Sequence, residues 1–182
     1  ADTSVPRPLT VETRPNLIKH GDRNIALTKL LGRVDKPIIA AVHGYALGAG
    51  AGLAFGSDLT VAAESARFGY PELKAGLTAT TVTAQAVHLM GRKVAFELLT
   101  LCDNMLPQRA YDLGLVNKVV PDDQLDAEVG AWCREIAEKS PTAIAIGSMV
   151  ASSNETGHPV AATTPAAEIF HICFGELTRF VA

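Results

Sequence analysis

Ile38-Ile39-Ala40-Ala41-Val42 is a continuous apolar run that follows the break at Lys36-Pro37. Such a run, with no polar alternate, predicts a strand buried on both faces. Leu59-Thr60-Val61-Ala62-Ala63 predicts a second, and Ala66-Arg67-Phe68-Gly69 a short third, ended by a turn at Pro71-Glu72. Between the first two lies His43-Gly44-Tyr45-Ala46-Leu47-Gly48-Ala49-Gly50-Ala51-Gly52, with four glycines in ten residues. Leu53-Ala54-Phe55 continues it as a helix of small residues, able to approach its neighbours closely.

Helical patterns follow from Thr80 to Met90 and from Arg92 to Leu101, separated by Gly91. Pro107 suits the first residue of a short helix ending at Gly114. Leu115 to Val120 is strand-like. Leu125, Val129, Trp132, Cys133 and Ile136 recur at helical spacing, and Ser140-Pro141 opens another helix. Asn154 to Pro165 reads as a loop, and the apolar tail Ala166 to Ala182 as a docked helix. Upstream, Asp22 caps a helix running to Arg33. Residues 1–21, with Pro6, Pro8 and Pro15, read as an extended or mobile segment. The organisation is then a leading segment 1–21, an α/β core over 22–121 and a C-terminal helical region over 122–182.

Composition narrows the function. Apolar residues at 48% and charged residues at 19% describe a globular chain of 182 residues, ordinary for one domain. A net charge of −3 argues against a general nucleic-acid binder, which would need a basic face to neutralise phosphates. Cys102, Cys133 and Cys173 are odd in number and far apart, so a disulfide framework is not expected and a reducing compartment is. No apolar run reaches the length of a membrane span, and Ala1 to Thr13 has no signal-peptide character. The expectation is a cytoplasmic protein with no membrane partner.

Two features can carry chemistry. The glycine-rich stretch follows a buried strand and opens a helix, which aims free backbone N–H groups at one point. That point can hold a phosphate or a developing oxyanion. The alternative is a tight turn with close helix packing. No Gly-Lys-Ser/Thr follows, so it is no P-loop, and the glycine spacing is not that of a dinucleotide fold. Glu72 sits just past a short strand. Near an apolar pocket its pKa would be raised by desolvation, as a proton-transferring group needs; otherwise it is a solvated turn glutamate. His43 either lines a pocket or fixes the loop by hydrogen bonding. Arg67, Lys74, Arg92 and Lys93 are either contacts for an anion or solvated surface charge. No histidine pair has metal-ligand spacing, and no Gly-x-Ser-x-Gly occurs.

The order of motifs resembles the crotonase (enoyl-CoA hydratase/isomerase) superfamily. Lys36 to Gly50, Ser57 to Ala63, Ala66 to Glu72, Lys74-Ala75-Gly76-Leu77 and Ala110 to Val120 all fall in family order, over about Ile25 to Met149. The resemblance implies an α/β spiral of β-β-α units with C-terminal helices that build homotrimers or hexamers. It implies an acyl-CoA partner and a place in fatty acid metabolism, with coenzyme A arriving as part of the substrate and no other cofactor or metal. The thioester oxygen would accept from two backbone N–H groups, one of them at the position matching Ala49. Glu72 matches a family catalytic glutamate. His43, Tyr45, Leu47, Gly48, Gly50 and Gly52 fall in the segment that would line the substrate.

Three departures accompany the resemblance. Gly52 stands where family hydratases usually carry a second glutamate. Two carboxylates suit the addition of water, whereas one suits a proton shuttle of the isomerase kind. Thr78 to Thr83 replaces a glycine- and proline-containing loop, which reshapes the acyl pocket without adding an acid or base. Nothing before Asp22 resembles the family's Ala-Gly-Ala-Asp-like segment, which implies a fragment of a longer protein or an incomplete family member. The expected activity is enoyl-CoA hydratase/isomerase chemistry. The other reading is a non-catalytic acyl-CoA-binding or assembly protein on a degenerate scaffold.

Overall fold

The structure, a computed structural model, describes residues 34, 36–77, 80–144, 146–147 and 170–174. The expected leading segment and the helix from Asp22 to Arg33 lie outside these residues. The first apolar run is strand β1 (Ile38–Val42), with all five residues buried. Strand β2 (Tyr45–Leu47) follows, then helix α1 (Ala49–Phe55), β3 (Leu59–Ala63) and β4 (Arg67–Gly69). A 3-10 turn (Pro71–Ala75) leads to α2 (Thr80–Leu101), α3 (Pro107–Asp112), β5 (Lys118–Val120), α4 (Leu125–Ala137) and β6 (Phe170–Phe174).

β1 is central in a four-stranded sheet of order β5-β3-β1-β6, and every pairing in it is parallel. β2 and β4 form a separate parallel pair, Tyr45 opposite Arg67 and Leu47 opposite Gly69. Two strands in different sheets, joined through one helix to the next two, make the repeating unit of the chain. The central strands β1 and β3 are apolar on both faces because helices pack on both. Ala40, Val42 and Ala62 face the core built with α1 and α2, where the Phe55 and Phe68 rings meet at 4.8 Å. Ile39, Ala41, Val61 and Ala63 point the other way, to Leu125 and Val129 of α4. Alternation of period two thus divides one apolar strand between two cores.

Two features depart from the expected elements. Phe170–Phe174 is a strand paired with β1, where the apolar tail was expected to dock as a helix. Phe-His-Ile-Cys-Phe is rich in the aromatic and β-branched residues that pack on a pleated surface. The expected strand from Leu115 shortens to Lys118–Val120, since Leu115 and Val116 instead bind back to the Ala110 carbonyl. The break at Gly91 is present: its φ of 73° and ψ of 160° divide α2 into the two expected helices.

A reciprocal clamp fixes β3 against the chain entering β5. Asn117 Oδ1 accepts from the Thr60 N–H at 2.7 Å, and the Asn117 N–H donates to the Thr60 carbonyl at 2.8 Å. The buried Thr60 hydroxyl donates to the Ala54 carbonyl at 2.7 Å, which ties α1 to the same strand. Asn117→Ala leaves the Thr60 N–H without its acceptor and is expected to destabilise the fold by about 1–2 kcal/mol in urea unfolding. Asn117→Asp keeps the acceptor oxygen and is expected to restore most of the loss. Equal losses for both would contradict the clamp.

Candidate active site

Strand β2 ends where α1 begins, and the join is Gly48. Its φ of 56° and ψ of −118° belong to a region open to glycine and costly to other residues. The Gly48 N–H donates to the Gly69 carbonyl at 2.8 Å, so the ends of β2 and β4 are tied together. From Gly69, two residues lead to Glu72. Pro71 opens the 3-10 turn, and Gly76, in the left-handed conformation, closes it through bonds to the Leu73 and Glu72 carbonyls. The turn returns the Glu72 side chain over Gly48: a Cβ added at Gly48 would lie 2.7 Å from Glu72 Oε1. Residues 24 positions apart in sequence thereby form one site.

The electrostatics of that site suit proton transfer. Burial pushes the Glu72 carboxyl above its ordinary value, partly offset by a hydrogen bond from its own backbone N–H. Oε2 is buried and has no hydrogen-bond partner among the described residues. Such an oxygen is costly to fold around, and carboxyls perturbed in this way cluster at functional sites. Burial first, and then the neighbouring charge of Glu72, push the buried Tyr70 phenol well above its ordinary value. Its hydroxyl therefore stays protonated beside the carboxylate.

α1 presents its own donors at the same place. The first intrahelical bond runs from the Gly52 N–H to the Gly48 carbonyl at 3.0 Å. The N–H groups of Ala49, Gly50 and Ala51 precede it and have no acceptor within the helix. Ala49 and Gly50 are half-buried, and a Cβ at Gly50 would meet nothing within 4 Å.

The other expected site residues are placed differently. Leu47 is half-buried at the end of β2, whereas Tyr45 is 69% exposed on the same strand. His43 is exposed and lines a shallow depression with Asp122, Asp123, Leu125 and Asp126. Gly52 is buried against α2: a Cβ there would lie 3.1 Å from Gln85 Oε1 and 3.4 Å from Val82. Lys74, Arg92 and Lys93 are exposed, and the Arg67 guanidinium donates to the Glu64 and Ala66 carbonyls. Sequence reasoning did not single out Tyr70 or Gln85. Recurrence of glycine at 48, 52 and 56 was a signal that some other side chain lies against α1. Among the described residues, no helix is long and apolar enough to cross a membrane.

The spiral of β-β-α units, with the half-buried Glu72 carboxylate over the amino end of α1, is that of an α/β protein of the crotonase fold. The enoyl-CoA hydratase/isomerase family model matches residues 19–169, and the chain belongs to that family. A Thermus thermophilus protein provisionally named an enoyl-CoA hydratase is 39% identical over 124 residues, covering 66% of this chain and 49% of that relative. An enoyl-CoA hydratase structure from Mycobacterium smegmatis is 31% identical with a TM-score of 0.74, covering 85% of this chain and 59% of the other. A carnitinyl-CoA hydratase structure from Mycobacterium avium is 42% identical with a TM-score of 0.62, covering 65% of this chain and 46% of the other. The chain thus spans about half the length of the Thermus thermophilus relative.

Proposed function

We propose that this chain acts on an acyl-CoA thioester at the carbons next to its carbonyl, through an enolate, with Glu72 moving the proton. The observation that carries this reading is the half-buried carboxylate of Glu72 lying on Gly48 at the start of α1, its pKa raised and its Oε2 without a hydrogen-bond partner among the described residues. Deprotonated Glu72 takes a proton from the substrate, and the electron pair moves onto the thioester oxygen. The Ala49 N–H, without an acceptor inside its helix, donates to that oxygen. Because the donor is backbone, alanine serves as well as glycine. Glu72 then returns the proton to carbon. Coenzyme A arrives as part of the substrate, and the chemistry calls for no further cofactor. Relatives named as enoyl-CoA and carnitinyl-CoA hydratases support the substrate class. Assembly as a homotrimer or hexamer and a cytoplasmic location belong to the same proposal.

Gly52 favours proton relocation, as in moving a 3-enoyl double bond to the 2 position, over hydration. The test is incubation of the protein with crotonyl-CoA and, separately, with a 3-enoyl-CoA, following the conjugated thioester absorbance. A gain with the 3-enoyl ester is expected. Silence on both substrates together with tight thioester binding would instead support the non-catalytic reading that Gly52 also motivates.

A further inference from the structure

Gly48, Gly52 and Gly56 lie in one hydrogen-bonded column of α1. The Gly56 N–H donates to the Gly52 carbonyl, and the Gly52 N–H to the Gly48 carbonyl, each at 3.0 Å. Glu72 covers the first glycine of this column. Gln85 of α2 covers the other two. Its Nε2 donates to the Gly52 carbonyl at 3.0 Å, and its Oε1 lies 3.1 Å from where a Cβ of residue 52 would be. A Cβ at residue 56 would strike Gln85 Nε2 and require the amide to move. The space that a side chain at 52 would enter is therefore already held by an amide, and that amide is bonded to the turn that follows Gly48.

Chemistry separates an amide from a carboxylate here. Glutamine offers donors and an acceptor but neither takes nor releases a proton near neutral pH. Adding water across a double bond calls for one group to activate the water and another to handle the carbon proton. Moving a double bond calls for one group that carries a proton between two carbons. We propose that Gln85 stands in for the side chain absent at position 52, as a positioning residue that fills the α1–α2 gap and leaves Glu72 without a second carboxylate. The consequence, which rests on the function proposed above, is selection of proton relocation over hydration.

The test has a stability arm and a product arm, both on the full chain. Gly52→Ala, Gln85→Ala and the double variant are compared by denaturant unfolding. Alanine is the better helix former, so Gly52→Ala is expected to raise the midpoint when Gln85 is absent. With Gln85 present, the same change raises it less or lowers it, because the amide must give way. Equal midpoint shifts in the two backgrounds would overturn the placement of Gln85. In the product arm, Gly52→Glu/Gln85→Ala is expected to hydrate crotonyl-CoA at least about ten-fold faster than Gly52→Glu alone, a change of about 1.4 kcal/mol in barrier. Equal hydration rates for those two variants would remove Gln85 from specificity. A Glu72→Gln variant that isomerises at the wild-type rate would sink the proposed function instead, and the unfolding comparison would still decide where Gln85 sits.

Discussion

Glu72→Gln is expected to lower turnover of a 3-enoyl thioester by about 10²–10⁴-fold while leaving thioester affinity nearly unchanged, the range assigned to a positioned acid–base group. The substitution keeps the shape of the side chain and removes its ability to carry a proton. Stability is expected to move the other way. Burial raises the folded-state pKa of Glu72 above its unfolded value, so the folded chain holds that proton more tightly than the unfolded chain. The stabilisation from this group is complete in acid and is lost as pH rises from the ordinary carboxylate range through the raised value. Glutamine has no proton to lose. At neutral pH the variant should therefore be more stable than the wild type, and the difference should vanish on acidification. Glu72 is only half-buried, and solvent screening limits the gain to about 1 kcal/mol or less. The rate carries the same signature. Where Glu72 acts as base in the free enzyme, kcat/KM rises with pH through a limb above the ordinary glutamate value. A variant that loses turnover and stability together would indicate a structural role for Glu72 instead.

Local pattern accounts for what was legible in the sequence. The apolar runs at 38–42 and 59–63 became β1 and β3 with those bounds, because a strand buried on both faces shows itself by composition alone. Gly91 marked the division of α2, since a glycine with φ of 73° ends one helix and permits the next. β2 was hidden inside the glycine-rich stretch, where a three-residue strand has too little pattern to register. Within the tail, residues 170–174 were misjudged because an apolar segment without clear periodicity suits helix or strand, and pairing with β1 decides between them. In the site, Glu72 and the opening of α1 were legible as separate motifs, but not their contact. Gln85 could not be reached from local pattern, for its partner is 33 residues away. Gly52 read as a missing carboxylate, and only the packing of α2 shows what fills the space.

Gly48→Ala tests the contact that makes the site, and two separate penalties attend it. The backbone at Gly48, with φ of 56° and ψ of −118°, is strained for any residue with a Cβ. Forcing alanine into such a conformation costs about 1–3 kcal/mol of stability. The new methyl would also stand 2.7 Å from Glu72 Oε1 and 3.4 Å from its carboxyl carbon, so the carboxylate must swing away. Displacing a reacting group by about 1 Å can cost about 10²-fold in rate, and a loss of that order is expected in kcat. Gly50→Ala is the control for stability: no positive φ is imposed there, and the methyl meets nothing within 4 Å. That change should hold stability level or raise it by up to about 1 kcal/mol. The two penalties at Gly48 separate in the Glu72→Gln background. If the rate loss comes from moving the carboxylate, adding Gly48→Ala to Glu72→Gln costs little further rate, although the loss of stability persists. If instead the two rate losses multiply, the glycine acts through the shape of α1 and its donors, and the contact with Glu72 is incidental.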